Sequence, residues 1–388
     1  MKSLLLIIAF AACFARATAG EPTALPAQAD GTIIKDENGF PFTSYEQWVA
    51  RVRSQIVFDE QSIRAKYPPE KFQEYKEKQN IPVDTYEAWL AGMKRRMELM
   101  QARWPSIEAE MRKASPPEQF REFTATVECR RIVYLSDGQK IEGFILKPAA
   151  AIAGRLPVII YNHGGNSQVG SLDERSLMRV GWLVRAGYVV VASQYRGCGG
   201  SEGQDEMGGA DIADVLNLFP VIASLPYADA ARIGMFGWSR GGMMTFLALA
   251  RTDRIAAAVI GSAPTDISTE IDKRPEMERL LQRSVPGYAE HKEAALKARS
   301  AQHWPEKLCK TTPLLLLHGS DDKRCDPAEA LEMAMMLYRS GCHFRFVFFE
   351  SGDHGLTQHT GETNRLIIAW FEKYLGNSGK PAAIHGDQ

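Results

Sequence analysis

The sequence predicts an α/β fold, with a mainly parallel sheet covered by helices on both faces and a small helical region in front of it. Two features of the 388-residue chain carry this reading. After the prolines at 116 and 117, apolar runs at 131–135, 141–146, 157–161, 188–192, 232–236, 256–260, 313–317 and 344–349 read as strands. Most alternate with helix-length stretches, the pattern of crossover-connected parallel strands. The first pair is instead joined by a Ser136-Asp137-Gly138 turn, which predicts a hairpin. Before residue 120 the chain is rich in Glu, Lys, Arg, Gln and Trp with a period near 3.6 and no strand-like alternation, so 20–122 reads as helices.

Within that helical region TSYEQWVA at 43–50 recurs as DTYEAWLA at 84–91, each copy opening on residues that cap a helix. The expectation is two similar helices whose Tyr and Trp pack onto the neighbouring domain. The alternative is an aromatic platform for a substrate or partner.

Composition sets outer bounds. With 45% apolar and 24% charged residues the chain is of ordinary globular type, and a net charge of −1 gives no reason to expect nucleic acid or an acidic membrane as partner. A basic start, an apolar run from Leu4 to Phe14 and the small-x-small triplet Ala17-Thr18-Ala19 predict a signal peptide over 1–19, cleaved near Ala19, and export to the periplasm or the exterior. The run is too short to span a bilayer. Lipid attachment through Cys13 is the alternative. Residues 379–388 read as a tail. Downstream lie Cys129, Cys198, Cys309, Cys325 and Cys342, an odd number without CxxC spacing, so no zinc site is expected. Export permits a disulfide, and Cys309 with Cys342 is the favoured pair because each precedes one of two adjacent strands.

The chemistry centres on Gly237-Trp238-Ser239-Arg240-Gly241, a G-x-S-x-G pentad that the run 232–236 feeds and an apolar helix leaves. Strand, sharp turn and helix make the nucleophile elbow of the α/β-hydrolase fold, where glycines two positions either side leave room for the turn. A serine hydroxyl needs an imidazole base held by a carboxylate, and in this fold those follow in the order acid, then histidine. The strand at 313–317 ends in His318-Gly319-Ser320-Asp321-Asp322, offering two acids, and the strand at 344–349 opens into Ser351-Gly352-Asp353-His354. His354 is the expected base; His359, His343 and His318 are less well placed, the last reading as a structural residue of its turn. Oxyanion donors are expected from the Arg240 N–H and from the loop His163-Gly164-Gly165-Asn166.

These motifs, HGG at 163–165, SQYRGCGGSEG at 193–203, GGADIADVLNLF at 208–219, RIGMFGWSRGG at 232–242, LLLLHGSDDKRCDP at 314–327, ESGDHG at 350–355 and WFEKYL at 370–375, are collinear over about 125–376. They resemble the prolyl oligopeptidase family of serine peptidases and its acylaminoacyl-peptidase-like members. The resemblance implies Asp322 rather than Asp321 as the acid, Gly165 as the second oxyanion donor, and a catalytic domain over 123–378. It departs from the family at Asn166, often Pro, and at Cys325, often Val, and it lacks the β-propeller. Residues 265–308, with helices expected at 276–283 and 289–299, would then cap the pocket.

Three functions are carried forward: a peptidase on short peptides or acylated amino acids, an esterase or deacetylase on small or carbohydrate esters, and a silent scaffold, which the intact Ser239, Asp322 and His354 disfavour. No metal or organic cofactor is required. The Arg240 and Glu202 side chains are expected in solvated structural roles, and the sequence does not fix the oligomeric state.

Overall fold

The structure, a computed structural model, describes residues 29–73, 76, 81, 83–166, 170–308 and 311–376. The predicted signal segment, Cys13, Cys309 and its pairing with Cys342, and the tail lie outside the described residues. Of the described residues, those within 41–124 form one compact unit, and 29–40 together with those from 125 to 376 form the other.

The larger unit holds a nine-stranded sheet in the order β1-β2-β3-β5-β4-β6-β7-β8-β9. All eight strands anticipated from the apolar runs are present: β2 (Val127–Ser136), β3 (Gln139–Pro148), β4 (Leu156–Asn162), β5 (Val189–Ser193), β6 (Ala228–Trp238), β7 (Ala257–Gly261), β8 (Leu314–Gly319) and β9 (Phe344–Phe349). β2 and β3 pair antiparallel with Ser136 opposite Gln139, across a two-residue turn in which Asp137 and Gly138 both take positive φ, as a right-twisted hairpin requires. From β5 through β4, β6, β7, β8 to β9 every pairing is parallel. Their side chains are buried on both faces over most of this run, which is why the sequence shows continuous apolar runs and little alternation. Parallel strands place their carboxyl ends on one edge, and the loops that follow β4, β6, β8 and β9 therefore share it.

The ninth strand corrects the sequence reading. Ile33–Asn38, assigned to the helical region, is β1, an antiparallel edge strand on β2. Its sequence IIKDEN has two apolar residues followed by charge, so nothing in its own pattern marks a strand; the pairing partner decides.

Between β7 and β8 lie helices α10 (Ile267–Lys273), α11 (Pro275–Ser284) and α12 (Tyr288–Arg299), numbered in chain order after α1 (Tyr45–Ser54), α2 (Glu60–Lys66), α3 (Tyr86–Ala102), α4 (Trp104–Ala114), α5 (Pro117–Thr126), α6 (Glu174–Arg185), α7 (Ile212–Leu216), α8 (Leu218–Ser224) and α9 (Arg240–Leu249). Two more follow, α13 (Pro327–Arg339) and α14 (Thr360–Leu375).

The entry to α10 is held by a buried carboxylate. Glu329 Oε2, from α13, accepts the N–H groups of Thr265 and Asp266 at 3.0 Å each, while Oε1 meets no partner among the described residues. Burial pushes its pKa up to about 7, from the ordinary glutamate value of about 4.5, and the two backbone bonds oppose the shift without cancelling it. A carboxyl whose folded pKa is raised adds nothing below about pH 4.5 and costs stability as the pH climbs from 4.5 through 7, because only the unfolded chain ionises freely there. That loss is on the order of 3 kcal/mol. Glu329→Gln is expected to flatten the decline in unfolding free energy over this window, measured by urea denaturation at a series of pH values.

In the helical unit the repeated segments are structurally equivalent. Ser44 and Thr85 cap α1 and α3 by accepting from Gln47 and Ala88 N–H. Tyr45 donates to the Ser115 carbonyl at the end of α4, and Tyr86 to the Tyr67 carbonyl at the end of α2. Glu46 takes a two-pronged bond from Arg112, which also binds Glu108 and lies over the Tyr45 ring; Glu87 takes the same from Arg64, which binds Glu60 and lies over Tyr86. The partners repeat too, as R-x-x-x-P-P-E-x-F-x-E at 64–74 and 112–122. Each YExW segment thus pairs with one copy of this second motif, the first with the later copy and the second with the earlier. The aromatics pack inside this unit, Trp48 fully buried against Phe120 and Tyr86 against Phe72. A platform is not formed by Tyr45, Trp48 or Tyr86.

Candidate active site

Ser239 sits where β6 turns into α9, with φ 58 and ψ −127. A side chain in this region of backbone space costs on the order of 1–3 kcal/mol, held here by the Ser239 N–H donating to the Gly261 carbonyl at 2.8 Å. The pentad glycines are required by contact. A Cβ on Gly237 would lie 2.0 Å from the Gly241 oxygen, and one on Gly241 would lie 1.9 Å from the Asn162 oxygen. The elbow is therefore pressed against the end of β4, which brings the next loop beside the nucleophile: a Cβ on Gly164 would come 3.4 Å from Ser239 Cβ.

Asp322 follows β8 and is 4% exposed. Its Oδ1 accepts the N–H groups of Arg324 and Cys325, and its Oδ2 takes His354 Nδ1 at 2.8 Å with His318 Nε2 at 3.3 Å. Burial alone would raise the pKa of this carboxyl, but the bonds from His318 and His354 outweigh it and hold it well below the usual carboxylate range. It stays ionised wherever an imidazole titrates. With Nδ1 committed to Asp322, the neutral His354 ring leaves Nε2 as its acceptor. Asp321, by contrast, is exposed, and its N–H donates to Gly352 across the two loops.

His354 is also placed through its backbone. Trp238 Nε1 donates to the His354 carbonyl at 2.7 Å, tying the histidine loop to the residue before Ser239. Gly319 and Gly352 let the acid and histidine loops touch, since a Cβ on Gly319 would lie 2.2 Å from the Gly352 oxygen. No group of His, Cys, Asp and Glu capable of holding a metal ion occurs among the described residues.

The model of the prolyl oligopeptidase family matches residues 175–378, more than half of the chain. The chain belongs to this family. Membership makes it a serine-type peptidase by class. Among curated relatives it is similar to the peptidase YtmA of Bacillus subtilis, 28% identical over 210 residues, 54% of this chain and 76% of that protein. It is equally similar to YuxL of the same organism, 28% identical over 285 residues, 66% of this chain but 40% of that one. Of solved structures, the acylaminoacyl peptidase of Pyrococcus horikoshii superposes with a TM-score of 0.57 at 23% identity, over 69% of this chain and 45% of that one. This last likeness speaks for the shared α/β-hydrolase fold alone. The chain thus spans under half the length of two of these three proteins.

This member of the prolyl oligopeptidase family departs from the sequence reading at Arg240. Its side chain is not solvated but 4% exposed, paired with Asp205 at 2.6 Å and Asp211 at 2.7 Å, because two carboxylates on the loop after β5 converge on it. Glu202 is exposed, as expected, and accepts from the Lys140 N–H. Sequence reasoning missed two contacts at the site: the Trp238 tether, and the second histidine, His318, on the acid. For the latter the i, i+4 spacing of His318 and Asp322 was the available signal.

Proposed function

We propose that Ser239 is the nucleophile of a peptidase acting on short peptides or acylated amino acids, with His354 as its base and Asp322 as the orienting acid. The carrying observation is the His354–Asp322 bond, anchored beside the strained serine by the Trp238 tether. In this reading His354 Nε2 takes the Ser239 proton as Oγ attacks the acyl carbon. The resulting oxyanion is met by the N–H groups of Arg240, at the first position of α9, and Gly165. Collapse expels the amine, which leaves with the proton from His354, and water repeats the sequence on the acyl-enzyme. Asp322 stabilises the imidazolium at each stage without taking its proton.

Residues 265–308 cap the site in this proposal. Their first helix is tied to the loop that carries Asp322: Arg274 donates to the Arg324 carbonyl at 2.9 Å, and Lys273 pairs with Asp326. Export of the mature chain after cleavage near Ala19 belongs to the same proposal. The test is a parallel rate assay on aminoacyl and N-acylaminoacyl p-nitroanilides and on p-nitrophenyl acetate and butyrate, corrected for spontaneous hydrolysis. Anilide cleavage is the expected result. Ester cleavage with no anilide turnover would overturn the peptidase reading in favour of an esterase.

A further inference from the structure

Behind the HGG loop lies a buried stack of three side chains that the mechanism above does not use. The Tyr195 ring stacks on the His163 ring at 4.2 Å, 19° from parallel, and the Arg240 guanidinium carbon lies 5.1 Å from the Tyr195 centroid. Each member reaches one carbonyl of the loop. Tyr195 Oη donates to the His163 carbonyl at 3.2 Å, His163 Nδ1 lies 2.9 Å from the Gly164 carbonyl, and Arg240 Nη1 donates to the Gly165 carbonyl at 3.2 Å. His163 Nε2 faces a further carbonyl, that of Gln194, at 3.2 Å. Burial pushes the His163 pKa down to about 4, so the ring is neutral and carries one proton, which the shorter contact assigns to Nδ1.

In a trans peptide the C=O and the following N–H point in opposite directions. Three successive carbonyls drawn toward the stack therefore turn the N–H groups of Gly164, Gly165 and Asn166 away from it. Among the described residues no acceptor takes the Gly165 N–H. The loop that presents these groups is the one in contact with Ser239 through Gly164. Tyr195 itself is held at φ 61, a costly conformation for an aromatic residue, as expected where the surroundings dictate geometry.

We propose that Tyr195, His163 and the Arg240 side chain are positioning residues that preset the oxyanion-binding loop, an inference that rests on Ser239 being the nucleophile. Arg240 links both halves of the oxyanion site. Its backbone N–H is one donor, and its guanidinium fixes the peptide that follows the other. The two-pronged bond to Asp205 and the single bond to Asp211 lock the guanidinium plane, so that the second Nη1 N–H is aimed at Gly165, while Nε meets no acceptor among the described residues.

The test compares the wild type with Tyr195→Phe and Arg240→Lys. Phe keeps the stacked ring and removes only the hydroxyl. Lys keeps a positive charge between the two aspartates, so neither is left uncompensated, but a point charge cannot reproduce the fork. The readouts are the rate constant for phosphonylation by a fluorophosphonate probe, whose phosphoryl oxygen needs the same donors, and the final stoichiometry of labelling by intact mass. Outright loss of one oxyanion donor costs about 10²–10³-fold. A misplaced donor is expected to cost about tenfold or more per labelled site, with stoichiometry and KM for p-nitrophenyl butyrate unchanged. Wild-type rate constants per site in both variants would overturn the proposal, even if the labelled fraction fell, because that pattern marks a purely structural role. A wild-type protein that is not labelled at Ser239 would instead overturn the nucleophile assignment, and the positioning proposal with it.

Discussion

Replacing Ser239 with Ala is expected to lower turnover on any cleaved substrate by at least about 10⁴-fold, since removal of a triad serine costs up to about 10⁶ while binding and oxyanion donors retain some rate over water. Folding should be unaffected. The Ala Cβ occupies the same strained φ of 58 as the serine, and the bond that holds the turn runs from the backbone N–H to Gly261. The thermal midpoint is therefore expected to stay within a few degrees of wild type. A variant with wild-type turnover would place the nucleophile elsewhere; one that fails to fold would make Ser239 a structural residue.

The second large effect is at the acid, where the two adjacent aspartates give opposite expectations. In Asp322→Asn the two backbone N–H groups that bind Oδ1 require an acceptor and so select the amide oxygen. The amide NH₂ then takes the place of Oδ2, facing His354 Nδ1. Two donors cannot face each other, so the ring is driven to the tautomer with its proton on Nε2, which cannot receive the serine proton. A loss of about 10⁴-fold in kcat follows, with the fold intact, as for other triads carrying this change. Asp321→Asn changes an exposed carboxylate that touches neither histidine, and its effect should stay within about twofold. Steady-state rates of the two variants decide between the aspartates, and a larger loss at Asp321 would reverse the roles.

The inner strands of the parallel core were legible because they are buried on both faces over most of their length, which forces continuous apolar runs such as LLLL at 314–317. The elbow was legible for a steric reason: a pentad with glycines at 237 and 241 is demanded by contacts of 2.0 Å and 1.9 Å that any side chain would create. β1 was not legible, because a charged edge strand owes its state to β2 rather than to its own residues. The repeat in the helical unit was half legible. The aromatic copies at 45 and 86 stand out, whereas the P-P-E-x-F copies at 68 and 116 become equivalent only when Tyr45 is seen to reach Ser115 and Tyr86 to reach Tyr67. The stack behind the oxyanion loop left no trace in sequence, for Tyr195, His163 and Arg240 follow three different strands and meet only because those strands are neighbours in the sheet.

The central claim is that one serine, held at the elbow and served by His354, forms the covalent intermediate. It is tested most directly by treating the full-length protein with a stoichiometric fluorophosphonate, digesting it and mapping the adduct by mass spectrometry, with His354→Ala in parallel. The account predicts a single adduct on Ser239 in the wild type and markedly slowed labelling in the histidine variant. An adduct on any other residue, or labelling of Ser239 at the same rate without His354, would contradict it.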